Sequence, residues 1–181
     1  MRNIIVLGAI LATLPVAVFA SEPGGSESCT TLFAKTCMAN FYSQDKLREE
    51  MAAQESPVLN AEQSKVFLGG ATGTAWGVAV DDAAYIVVLR DDNVCAVYAQ
   101  RVPVAEVQKN FTAMVSAGVP PLVAEKIKDI SPAPVSGSMT TIAFSWSRAG
   151  DKVKLVFTLT TSSEESPTIQ AFATMSLGRI V

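Results

Sequence analysis

Two periodicities divide the chain. From Thr74 onward apolar side chains recur at every second position: Trp76, Val78 and Val80 alternate with Ala75, Gly77 and Ala79, the pattern of a strand that buries one face. Dense β-branched and aromatic runs follow at residues 85–89 and 94–99, separated by Arg90-Asp91-Asp92-Asn93, and Asp81-Asp82 supplies the preceding turn. This predicts a three-strand meander. Further on, Thr140, Ile142, Phe144 and Trp146 share one face, and Val153, Leu155, Phe157 and Leu159 share another across the turn Arg148-Ala149-Gly150-Asp151. With residues 168–177 they predict a second meander.

Helical spacing governs the rest. Phe33, Cys37 and Phe41 recur at i, i+4 and i+8, residues 44–54 are rich in helix formers, and Asn60 caps a short helix that Gly69-Gly70 ends. Pro103 opens another helix, whose Val104, Val107, Phe111 and Met114 form one apolar stripe that stops near Gly118. Residues 122–130 fit a short helix or an edge strand, and residues 131–137 read as a loop. The expected fold is α+β: an antiparallel sheet of about six strands in two meanders, packed on one face by helices.

Residues 1–20, MRNIIVLGAILATLPVAVFA, carry one positive charge at Arg2, an apolar run and a small residue at Ala20. That is the layout of a secretory signal peptide, with cleavage expected after Ala20; the alternative, an uncleaved anchor, lacks a flank of positive charge. Residues 21–28 (SEPGGSES) read as a flexible tether, and residues 29–181 as a single α+β domain. Removing the leader takes only Arg2 among the charges and leaves 13 basic against 17 acidic side chains, a net charge of −4. Such a chain lacks the basic surplus that neutralises phosphates, which excludes nucleic acid from the expected partners. The charged fraction of 17% with 49% apolar residues is that of a folded domain rather than a disordered one.

Three cysteines in an exported chain allow one intramolecular disulfide. On a common helix Cys29 and Cys37 stand about 12 Å apart along the axis, beyond the ~7 Å that a bridge tolerates between Cα atoms. Cys37 shares its stripe with two phenylalanines, and Cys95 lies in the strand-like VCAVYA. The expected bridge is therefore Cys37–Cys95, worth about 3–5 kcal/mol in the loop-entropy picture. Cys29, at the end of the tether, is left as the candidate for a link between two chains.

No motif assigns a chemistry. The chain has no histidine, which removes the commonest general base, the Ser-His and Cys-His arrangements and most zinc sites. Ser43-Gln44-Asp45-Lys46 matches S-x-x-K, but its companion motifs are missing, so Ser43 is read as a helix cap. Residues 69–77 contain no G-K-[ST] and precede a strand, so they read as a helix stop and a turn. Asp81-Asp82 and Asp91-Asp92 fall in turns at opposite ends of a meander, and Asn110-Phe111-Thr112 is a sequon inside a helix. No catalytic residue, cofactor or metal site is expected. The aromatic residues most able to form a binding surface are Trp76, Tyr85, Tyr98 and Trp146, on whichever sheet face the helices leave open.

At FLGGATGTAWGV (residues 67–78), VVLRDDNVCAVYAQR (87–101) and KLVFTLTTS (154–162) the chain resembles a family of small uncharacterised proteobacterial envelope proteins and lipoproteins. The resemblance runs from about Cys37 to the C-terminus and implies an envelope location without adding chemistry. The chain departs from the lipoprotein members in having no cysteine at a processing site. Together these readings predict a periplasmic, non-catalytic interaction module, inhibitor or immunity-like, with an unidentified envelope or secreted protein as partner. A small-ligand or lipid-binding module is the alternative, and an enzyme, a hydrolase built on Ser43 and Lys46 or on a carboxylate pair, ranks third.

Overall fold

The computed structural model describes residues 25–80, 83–127, 139–162 and 169–180. The leader and Asp81-Asp82 therefore lie outside the described residues, as do residues 21–24 of the expected tether. Seven strands form one fully antiparallel sheet, in the order β1-β2-β3-β7-β6-β5-β4. They are β1 (Gly73–Val80), β2 (Ala83–Arg90), β3 (Cys95–Gln100), β4 (Val123–Ile127), β5 (Met139–Ser147), β6 (Val153–Ser162) and β7 (Ala171–Arg179). Two meanders, β1-β2-β3 and β4-β5-β6-β7, meet where β3 pairs with β7. The ambiguous segment 122–130 supplies β4, an edge strand, which raises the expected six strands to seven. Among the described residues it pairs with β5 alone, and its side chains are exposed or half-buried.

Four α-helices lie among the described residues: α1 (Gly25–Phe33), α2 (Gln44–Ala53), α3 (Ala61–Leu68) and α4 (Val104–Ser116). α1 takes in Gly25, inside the segment expected to be tether, since a helix that buries Cys29 and Phe33 needs a turn ahead of them. Among the described residues no helix is long and apolar enough to cross a membrane.

The first helix does not continue as a plain α-helix. After Phe33 the backbone widens into a π-turn, Ala34–Met38, in which the Ala39 amide donates to the Ala34 carbonyl at 3.0 Å. That skips the Lys35 carbonyl, which accepts instead from Asn40 Nδ2 at 3.1 Å. The same nitrogen donates to Glu50 Oε2 at 2.8 Å and so ties the π-turn to α2. Cys37, held in this turn, bonds Cys95 at the start of β3, with 5.4 Å between Cα atoms. The disulfide pairing matches the expectation.

α3 shows how local sequence sets an element. Asn60 and Gln63 form a reciprocal capping box at its start, and Gly69 ends it at φ +59°, a left-handed conformation that suits glycine. Ser43 stands at the N-cap of α2 as expected but makes no side-chain capping hydrogen bond.

The sheet has two unlike faces. Its first face is closed by α1, the π-turn, α2 and α4, with Phe33, Leu47, Val87, Val97, Phe111 and Phe157 in the main core. Trp146 Nε1 donates to the Val115 carbonyl at 2.6 Å, which satisfies one of the orphan carbonyls at the end of α4. The second face carries one described helix, α3, whose Leu68 packs on Ala75, Val88 and Ala96. Residues 57–59 also guard the edge of β1, where the Leu59 amide donates to the Ala75 carbonyl and the Gly77 amide to the Pro57 carbonyl.

Candidate functional site

Register decides which aromatic residues reach an open surface. Trp76 lies opposite Val87, Tyr85 opposite Ala99, and Trp146 opposite Leu155, all on the helix-covered face. Their exposures are 4%, 1% and 6%, so three of the four candidate surface aromatics are core residues. This corrects the expectation for Trp76, Tyr85 and Trp146: they face the side that α1, α2 and α4 fill. Tyr98 lies opposite Ile86 and Phe172, which places it on the second face.

Around Tyr98 the second face has a defined structure. Its ring meets Phe67 of α3 edge-on at 5.2 Å and stacks on Phe172 of β7 at 5.4 Å with a 19° interplanar angle. Its hydroxyl donates to the Phe67 carbonyl at 3.1 Å. Burial pushes the Tyr98 phenol up, with Arg90 acting against the shift, so the ring stays neutral. Beyond Phe172 a groove of about 170 Å³ opens, walled by Tyr98, Phe172, Thr160, Ile169 and Met139. Met139 stands at its rim with 47% exposure.

The polar groups here are largely occupied. Gln170 at the rim accepts from the Val102 amide at 2.8 Å. Thr141 and Thr160 share a hydrogen bond of 3.0 Å, and Thr158 and Thr174 one of 2.6 Å. Among the described residues that line the groove there is no carboxylate, amine or thiol. Such a lining suits the burial of an apolar group rather than proton transfer.

The other candidates do not converge. Ser43 is exposed, and Lys46 pairs with Glu50 at 3.6 Å rather than with the serine. Asp91 pairs with Arg48 at 3.5 Å. Asp92 takes a hydrogen bond from Arg90, which holds its carboxyl below the usual range. Among the described residues no group of acidic, cysteine or histidine side chains is placed to hold a metal ion. Phe111, the middle residue of the sequon, is fully buried in α4.

Cys29 is also corrected. It is 1% exposed inside the main core, and burial pushes its thiol from 9.0 up to about 12. A thiol so placed is neither accessible nor ionised, which overturns its expected role as a link between chains.

Phe67, Phe172, Met139 and Thr160 escaped the sequence reading. Phe172 sits between Ala171 and Ala173, and in isolation the phenylalanine looks like the inward residue of that strand. No protein family, curated protein or solved structure matches the chain.

Proposed function

We propose that the protein is a non-catalytic interaction module exported to the bacterial periplasm, binding a partner protein in the manner of an inhibitor or immunity protein. The signal-like leader and the Cys37–Cys95 bridge, which belongs to an oxidising compartment, support the location. The observation that carries the binding mode is the groove beside Phe172. Its volume of about 170 Å³ falls below the ~300–1,000 Å³ typical of small-molecule sites. It is the size for one apolar side chain, the way an anchoring residue fills a pocket at a protein interface.

The test compares two proteins. Tagged wild type and a Phe172→Ala variant are used to capture partners from the envelope fraction under non-reducing conditions, after circular dichroism has shown that the variant is folded. A stoichiometric protein retained by wild type and lost from the variant is expected. Recovery of bare monomer, or of the same protein in equal amount by both, contradicts the proposal. A co-purifying small molecule lost from the variant would replace the protein partner by a ligand.

A further inference from the structure

The end of the sheet away from the groove combines charge with exposed apolar side chains. The pairing places Val153, the first residue of β6, opposite Arg179, the last of β7, and the Ile180 amide donates to the Lys152 carbonyl at 3.1 Å. β5 ends beside them with Ser147 opposite Val123, the first residue of β4. Val119, Val123, Val153, Leu177 and Ile180 make up five of the nine exposed large apolar side chains among the described residues, and all belong to this end.

Cations stand among them. Arg148 and Lys152 lie in the β5–β6 connection, Arg179 ends β7, and the stem of Lys154 runs across Gly178. The glycine leaves room for that stem: a Cβ there would lie 2.9 Å from Val156 and 3.6 Å from Lys154. Over the described residues from Val119 through β7, the side-chain charges are five cations, including Lys126, against Glu125 and Asp151. Asp151 is itself engaged by Arg148 at 3.2 Å. The whole chain, by contrast, has a net charge of −3.

We propose that this end of the sheet docks on the surface of an anionic phospholipid bilayer. Lysine and arginine heads meet the phosphates, while their stems and the neighbouring valine, leucine and isoleucine side chains reach the apolar boundary below. The acidic remainder of the molecule is repelled by the same surface, so the field selects the orientation with this end down. Along β6 the groove then stands about 30 Å from the bilayer and open to the solvent. The inference is independent of what the groove binds.

Vesicle co-flotation tests it, with the protein purified in the form in which the cell exports it. Phosphatidylcholine vesicles with and without phosphatidylglycerol are the probes. Binding to the anionic vesicles is expected, weakening as salt rises. The combined variant Arg148→Gln, Lys152→Gln, Lys154→Gln and Arg179→Gln is expected to weaken it about a hundredfold or more. Val153→Ser with Leu177→Ser is expected to weaken it several-fold, since none of these side chains belongs to the core. Equal binding to phosphatidylcholine alone, or no loss in the glutamine variant, overturns the proposal. Equally tight binding to soluble polyaspartate, unaffected by the serine variant, also overturns it and assigns the surface to an acidic protein.

Discussion

Along β6, Phe157 and Leu159 have no exposed surface, whereas Val156 and Thr158, on either side of Phe157, remain partly exposed. On β7 the order of sizes is reversed. Small Ala171 and Ala173 are buried, and large Phe172 between them is not. The first face is closed because α1, α2, α4 and the π-turn supply apolar stripes to fill it. Among the described residues the second face receives one helix, α3, which covers β1 and β2 and stops at Tyr98. Among the described residues, what separates the two faces is therefore coverage rather than composition, and the part without a helix holds the aromatic pair and the groove.

Substitutions at matched positions on the two faces are expected to differ most in their cost. Phe157→Ala opens a cavity in the closed face against Trp146 and is expected to cost about 3–5 kcal/mol in urea unfolding. Phe172→Ala on the open face is expected to cost about 1 kcal/mol while removing partner capture, because solvent already reaches the ring. Similar costs at both positions would mean that the faces are equally buried. Replacing both Cys37 and Cys95 with alanine removes a bridge across 58 residues and is expected to cost about 4 kcal/mol. Since the bridge lies on the closed face, capture by the folded variant should persist, which pull-down under native conditions checks.

A modest effect is expected from pH. The unfolded Cys29 thiol ionises near 9.0, and the folded one holds its proton to about 12. Below pH 9 the buried neutral thiol contributes its full stability. Between pH 9 and 12 unfolding releases a proton, so that contribution falls as pH rises. Wild type is expected to lose about 1–2 kcal/mol relative to Cys29→Ala between pH 8 and pH 10.5. A difference that does not change with pH would place the thiol in contact with solvent.

Much of this fold is legible in the chain. The Asn60 cap with its Gly69 stop, the stripe of α4 and the alternation of β5 and β6 are written in short-range spacing, because backbone hydrogen bonding and side-chain phase are local. Cys37–Cys95 follows from two elements whose buried sides are each readable. The site was less legible. Period two tells which residues of one strand share a face, but parity between strands depends on register, and Tyr85 and Tyr98 fall on opposite faces because Tyr85 pairs with Ala99 rather than Tyr98. Ala171 and Ala173 point inward where the sheet runs beneath the π-turn, a constraint set by elements more than a hundred residues away. The π-turn itself depends on Asn40 reaching both Lys35 and Glu50, and no local pattern announces that.

The proposed function requires a partner protein seated on the open half of the second face, at Phe172. Its most direct test places a photoreactive phenylalanine analogue at position 172 and, as a control, at the exposed position of Val66 on α3, then irradiates living cells. One discrete protein adduct is expected from position 172 and none like it from position 66. No adduct from position 172, or the same adducts from both, would contradict the proposed function.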